Sequence, residues 1–345
     1  MTALRPPLMM TLSALLTLAL LFSGAAIAAD GHFTQRADVQ QFIDKMVRKH
    51  QFDRATVTQL LSEATLKTEI IKAITRPYES KPWYQYRPIF VTEKRIARGL
   101  QFWRENSATL LRAEEQYGVP PEIITAIIGV ESFYGRYKGR YRVLDSLVTL
   151  GFDYPRRGKF FRSELEHYLL MTRDEKIDPR SMKGSYAGAM GQPQFIASSY
   201  REYAVDFNND GRRDLWNNTD DAIGSVAHYF RRHGWQQGTA IASRASVNGS
   251  AFKKLIRKRL KPEIALDQLI ASGVTIDEMP DDIVPTSTKA TLIELKTRSG
   301  HEYWVGYRNF YVISRYNHSA LYSMAVFQLA TELRKQRDAA AVKLN

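Results

Sequence analysis

Hydrophobic residues along this chain recur mostly three and four positions apart, the spacing that gathers them on one face of an α-helix. Val39, Phe42, Ile43, Met46 and Val47 predict one amphipathic helix, and Val57, Leu60 and Leu61 begin a second. Pro77, Pro82 and Pro88 interrupt the helical pattern across residues 76 to 90, because proline removes an amide donor and crowds the preceding turn. A long helix is predicted over about 93 to 117, with Ile96, Leu100, Trp103, Leu110 and Leu111 facing inward. Gly118-Val119-Pro120-Pro121 stops it and starts an apolar helix that runs through Ile123, Ile127 and Ile128 to Glu131. Helical segments with long, Gly-rich connections continue to Trp235, and after Gly238 the character changes. Residues 291–295 and 303–305, on either side of Ser299-Gly300, predict a β-hairpin, and 310–313 a further strand. Leu266, Leu269 and Ile270 before Gly273 predict one short helix. A closing helix carries Leu321, Met324, Ala325, Leu329 and Leu333 and is expected to pack back on the helical body. The class expected is α+β, mainly helical, with a small β insertion.

Composition adds a compartment. At 345 residues and 44% hydrophobic content the chain can build a sizeable core in two or three packed subdomains. Arg5, an apolar run from Leu8 to Phe22 and the small residues Ser23 to Ala29, with Ala26 and Ala28 in an Ala-x-Ala pattern, predict an export signal over 1–29. The competing reading is an uncleaved N-terminal anchor, for which the apolar run is short. With no cysteine, the exported chain folds without disulfides and carries no lipid on an N-terminal cysteine. A net charge of +13 suits anionic polymers or surfaces. Export argues against nucleic acid and for an anionic cell-wall glycan or a membrane surface.

Glu131 carries the first chemical signal. It follows Ile128 and Ile127 by three and four positions and so shares their buried face. A carboxyl group desolvated there would hold its proton towards neutral pH and could donate it to the leaving oxygen of a glycosidic bond. The plain alternative is a glutamate ending a helix in solvent near Gly135. In the segment 184–195, Gly184, Gly188 and Gly191 would let backbone approach a sugar chain, while Ser185 and Gln194 supply neutral hydrogen-bonding groups; the alternative is a Gly-rich turn. Asp206-x-Asn208-x-Asp210-Gly211-Arg212-x-Asp214 follows the start of an EF-hand loop, with oxygens at positions 1, 3, 5 and 9, glycine at 6 and the Arg212 carbonyl at 7. Asn217 stands at position 12, where a bidentate glutamate is expected, and an ordinary Asn/Asp/Gly turn is the competing reading.

Taken in order, Tyr84-Gln85-Tyr86-Arg87-Pro88, Glu131-Ser132-x-Tyr134-Gly135, Tyr154-Pro155-Arg156-Arg157, the segment 184–195, the acidic loop and Arg315-Tyr316-Asn317-His318-Ser319 resemble the lytic murein transglycosylase B family. The resemblance runs from about Phe42 to the last helix, in a soluble variant lacking a lipid-anchor cysteine. It implies a lysozyme-like catalytic core with an α subdomain and a small β subdomain, divided here as 30–118, 119–237, 238–308 and a closing segment 309–345. It implies cleavage of the β-1,4 bond between N-acetylmuramic acid and N-acetylglucosamine in peptidoglycan, leaving 1,6-anhydromuramic acid ends. Glu131 would be the catalytic acid and then base, Ser185 would hold it, and Gln194 would sit in the sugar site. Tyr86, Met190, Phe195, Tyr229, Tyr311 and Tyr316 fall among the cleft residues of the family. Arg156 and Arg157 suit carboxylates of the stem peptide or the muramic lactyl group, or are a solvated basic turn. A structural calcium ion would be held by Asp206, Asn208, Asp210, the carbonyl of Arg212 and a later aspartate, Asp220 or Asp221, with Asp221 favoured. No organic cofactor is implied. The chain is read as a periplasmic monomer working on glycan strands, with peripheral contacts to the membrane or to cell-wall proteins. A hydrolytic muramidase or a non-catalytic wall-binding protein of the same fold are the rival functions.

Overall fold

The structure is a computed structural model that describes residues 30–75, 81–256, 260–283 and 287–342. The predicted export signal and Pro77 lie outside the described residues. The chain divides into two compact units, one ending at Glu63 and one beginning at Ala64.

In the first unit, α1 (Asp30–Gln35), α2 (Ala37–His50) and α3 (Arg54–Ser62) pack on one another. The expected stripe of α2 is inside, with Val39, Phe42, Ile43 and Met46 buried. Asp38 in its first turn and Arg48, Lys49 and His50 in its last complement the helix dipole. Asp53 caps α3 by accepting from the Thr56 amide.

The second unit opens with α4 (Thr68–Ile74) and α5 (Trp83–Phe90). The prolines do not abolish helix here: Pro82 is the N-cap of α5 and Pro88 falls in its last turn, while burial of Trp83 and Tyr86 holds the element in place. The long helix expected over 93 to 117 is two, α6 (Glu93–Glu105) and α7 (Ser107–Tyr117). Asn106 separates them at φ −120°, its side-chain amide donating to the Phe102 carbonyl. The break resets the helical phase, so Leu110 is buried and Leu111, expected inside, is 52% exposed. Next comes α8 (Pro121–Ser132), buried on nearly every side.

A two-residue strand, β1 (Tyr141–Arg142), leads into α9 (Val143–Asp153) and α10 (Gly158–Asp174), and pairs antiparallel with β2 (Lys183–Gly184). After it come α11 (Ala197–Tyr203) and α12 (Thr219–Arg232). The β insertion is β3 (Ala242–Val247), β4 (Ile264–Ala265), α13 (Leu266–Ala271), β5 (Val274–Ile276), β6 (Lys289–Lys296) and β7 (His301–Gly306), in sheet order β4-β6-β7-β3-β5 with every neighbouring pair antiparallel. The predicted hairpin is β6–β7, with Lys296 opposite His301. Alternation along β6 serves two cores. Leu292 joins Leu266, Leu269 and Val305 on one face, and Ile293 and Leu295 join Trp83, Tyr86 and Met324 on the other.

The strand expected at 310–313 is instead α14 (Arg308–Ser314), in which Phe310, Val312 and Ile313 are all buried. A four-residue apolar run with three of its members buried is too short to carry a period that separates strand from helix. The chain closes with α15 (Ala320–Val342). Around α8 stand α6, α7, α12 and α15, so the helix that ends in Glu131 is the centre of the unit.

Candidate active site

Glu131 is the penultimate residue of α8 and half-buried. What fixes it is the turn that follows. Phe133, Tyr134 and Gly135 have φ of 51°, 59° and 78°, three left-handed residues in a row of which two are bulky. The surroundings over-determine that conformation. The Tyr134 hydroxyl donates to the Arg95 carbonyl at 2.9 Å, and its ring lies so close to Gly129 that a Cβ there would stand 2.6 Å from it. Ser132 Oγ donates to the Ile128 carbonyl and accepts from the Gly135 amide at 3.0 Å. The Glu131 carboxyl group is thereby presented from a rigid helix end.

One of its oxygens, Oε1, accepts a hydrogen bond from the Tyr322 hydroxyl at 2.6 Å. Tyr322 comes from the first turn of α15 and stacks nearly parallel to Tyr316, at 6.5 Å and 11°. Burial, and then the charge on Glu131, push both phenols well above the ordinary tyrosine range. Both are therefore held in the protonated form, as donors. The Tyr316 hydroxyl donates to the Pro193 carbonyl at 2.5 Å, and that of Tyr229 to the Arg315 carbonyl at 2.6 Å. Phe195 packs on Tyr229 and Tyr316 with ring centres 5.7 and 5.9 Å apart. His233 stacks on Tyr229 at 4.0 Å, and burial holds its imidazole below the usual histidine range.

Of the residues singled out in the sequence, Phe195, Tyr229 and Tyr316 thus form one aromatic group beside Glu131. Met190 joins it through paired main-chain bonds with Phe195. Phe195, Met190 and Tyr229 are nevertheless buried, as is Tyr86 in α5, where it packs with Trp83 and Met324. Ser185 Oγ accepts from the Ala187 and Ala189 amides of its own turn, and Gln194, at φ 52°, donates to the Gly191 and Lys138 carbonyls. At Gly191 the protein's own chain already calls for glycine: a Cβ there would stand 2.6 Å from the Leu215 carbonyl oxygen. Arg156 is exposed, Arg157 lies over the Phe160 ring at 4.3 Å, and Tyr311 is half-exposed on α14 beside Arg308.

In the acidic loop Asp206 accepts from the Asp210 and Gly211 amides, Asp210 accepts from the Arg212 amide, and Asn208 donates to Asp210. Gly211 takes φ 87°, the sharp turn expected at the sixth position. The two aspartates left open by the sequence separate clearly. Asp221 is fully buried with its oxygens 2.7 and 2.8 Å from the Phe207 and Asp214 amides, inside the loop. Asp220 instead accepts from the Thr109 hydroxyl. Burial, with Asp206 adding to it, raises the Asp221 carboxyl above the usual range against the pull of the amides. Among the described residues no three His, Asp or Glu side chains converge in an arrangement that could hold a metal ion.

The Transglycosylase SLT domain profile matches residues 34–331. The chain belongs to this family of lytic transglycosylases. It is 46% identical over 309 residues to the membrane-bound lytic murein transglycosylase B of Escherichia coli K12, covering 87% of this chain and 83% of that protein. The soluble lytic transglycosylase SltB1 of Pseudomonas aeruginosa superposes with a TM-score of 0.81 at 46% identity, over 86% of this chain and 98% of that one. The Escherichia coli lytic transglycosylase Slt35 in complex with calcium gives 0.80 at 44% identity, over 88% and 95%.

In this transglycosylase the donor set of the loop is all oxygen, as calcium requires. A cation held there would offset the desolvation of buried Asp221. No helix of the transglycosylase among the described residues is long and apolar enough to cross a membrane. Tyr322 is the site residue that the sequence pattern missed: a tyrosine on the apolar face of the closing helix carries no mark that separates it from core.

Proposed function

We propose that this transglycosylase cleaves the muramic acid–glucosamine bond of peptidoglycan with Glu131 as its single acid and base. Protonated Glu131 donates to the glycosidic oxygen as the bond from C1 to that oxygen breaks, leaving positive charge on C1 and negative charge on Glu131. The C6 hydroxyl of the same muramic residue then closes on C1 and returns its proton to Glu131, which restores the acid and leaves an anhydro end. Because the nucleophile belongs to the substrate, no second carboxylate is needed. The observation that carries this reading is the 2.6 Å bond from Tyr322 to Glu131 Oε1, a neutral donor placed to stabilise the carboxylate between the two proton transfers.

In the same reading Ser185, Gln194, Met190, Phe195, Tyr86, Tyr229, Tyr311 and Tyr316 belong to the saccharide cleft, and Arg156 and Arg157 meet carboxylates of the stem peptide. Asp206, Asn208, Asp210, the Arg212 carbonyl and Asp221 hold a structural calcium ion. The calcium complex of Slt35 and the spacing of this loop support that assignment. Residues 1–29 direct export to the periplasm. The test is Glu131→Gln, which keeps shape and removes the proton: turnover of purified sacculi should fall by about a thousandfold with an unchanged melting temperature. Full activity in that variant would remove Glu131 from its role.

A further inference from the structure

Arg95 stands in the first turn of α6, its amide held at 3.2 Å by the Thr92 hydroxyl that caps the helix. Its side chain leaves α6 and reaches the end of α8. Nε donates to the Gly129 carbonyl at 3.1 Å, and Nη1 donates to the Ile89 carbonyl in α5. The guanidinium also lies 5.2 Å from the centre of the Phe133 ring and 5.3 Å from that of Phe90. The main-chain carbonyl of the same residue accepts from the Tyr134 hydroxyl. Arg95 therefore touches Gly129 before Glu131 and both bulky left-handed residues after it.

These contacts fall where the turn is most in need of support. The Gly129 carbonyl belongs to the last turn of α8, where the helix carries partial negative charge, and it already accepts from the Phe133 amide at 3.2 Å. Phe133 and Tyr134, at φ 51° and 59°, hold a conformation that costs free energy in any residue with a Cβ. A cation on that carbonyl and on the face of the Phe133 ring favours this conformation over its alternatives. Burial pushes the Arg95 guanidinium below the usual arginine range, and no carboxylate opposes the shift. Its charge is thus directed at main-chain carbonyls and aromatic faces. Lysine would keep the charge, but a single ammonium lacks the planar fork that serves two carbonyls at once and fits against two rings.

We infer that Arg95 is a positioning residue for Glu131: through the Gly129 carbonyl and the Phe133 ring it holds the left-handed turn, and the turn sets the Glu131 carboxyl group against the Tyr322 hydroxyl. The inference rests on the reading of Glu131 as acid and base.

The test is a double-variant cycle on the full chain, measuring kcat and KM on purified peptidoglycan well below the melting temperature of each variant. In Arg95→Lys, kcat should fall about tenfold, with KM changed by less than about twofold. In a Tyr322→Phe background the same substitution should cost only about threefold, because the contact that the placement serves is already gone. The alkaline limb of the pH–rate profile of Arg95→Lys should move to higher pH, as when Glu131 loses a donor. Should Arg95→Lys not fold, Phe133→Leu carries the same predictions, since it removes the ring and leaves the main-chain contacts of Arg95. A lowered melting temperature with wild-type kcat and pH profile would make the contact structural only. An equal loss in both backgrounds would mean that Arg95 does not act through the meeting of Glu131 and Tyr322. Either result overturns the inference. Glu131→Gln separates it from the reading beneath: full activity there removes the acid itself, whereas an inactive Glu131→Gln beside a wild-type-like Arg95→Lys removes only the role of Arg95.

Discussion

At the scale of single residues, the site is a carboxylate with a dedicated phenol. Tyr322 is 3% exposed and its hydroxyl is kept protonated by burial and by Glu131 itself, so it serves only as a donor. Hydrogen bonds to a charged group are worth about 1.5–3 kcal/mol. In Tyr322→Phe, kcat on peptidoglycan should fall by about tenfold or more, with KM changed little. Loss of a donor to the carboxylate favours the protonated form, so the alkaline limb of the pH–rate profile should move to higher pH. A variant with wild-type kcat and profile would show the contact to be structural only. Glu131 was legible in the sequence because its helix is apolar on almost every side and the carboxylate ends it. Tyr322 was not, because it meets Glu131 across 191 positions and sits where a helical stripe reads as core. The phenols of Tyr229 and Tyr316 were legible as members of the site, but their use as props on main-chain carbonyls belongs to the tertiary structure.

At the scale of elements, the acidic loop and α12 act together. Asn218 caps α12 by accepting from the Asp220 and Asp221 amides, which turns Asp221 into the loop and Asp220 away from it. The spacing Asp-x-Asn-x-Asp-Gly could not choose between them, since the choice depends on the first turn of the next helix. Burial raises the folded Asp221 carboxyl above its unfolded value of 3.8, so the folded state loses stability as pH rises through that interval and ionises the group. A cation held in the loop, as proposed, would offset this cost at neutral pH. Calcium at a hundredfold excess over Kd stabilises by about 2.7 kcal/mol, which for a unit of this size corresponds to about 5 °C in melting temperature. Chelation at neutral pH should therefore lower the melting temperature of the wild type by that amount and leave Asp221→Asn unmoved. A wild type indifferent to chelator would argue that the loop binds no calcium. Elsewhere the sequence pattern fell short where the run was short and mostly buried: 310–313 reads equally as strand or helix, because Phe310, Val312 and Ile313 are all buried and four residues set no period.

At the scale of the whole molecule, the helical body, the hairpin and the closing helix follow from amphipathic stripes that meet one another around α8. The sheet sits against this body through Ile293 and Leu295, which pack with Trp83, Tyr86 and Met324. The order of the motifs along the chain was legible because each is local; their convergence was not, since α8 and α15 are far apart in sequence and meet only in the folded chain. That convergence matters for the chemistry, because one carboxyl group suffices only if the substrate, rather than water, supplies the attacking oxygen. The direct measurement is digestion of purified peptidoglycan in heavy-oxygen water, followed by mass spectrometry of the released muropeptides. The account predicts muramic ends one water lighter than the reducing sugar, in the 1,6-anhydro form, with no heavy oxygen incorporated. Reducing muramic ends carrying heavy oxygen would mean that water attacks C1, and would contradict the role assigned to Glu131 and the substrate's own C6 hydroxyl.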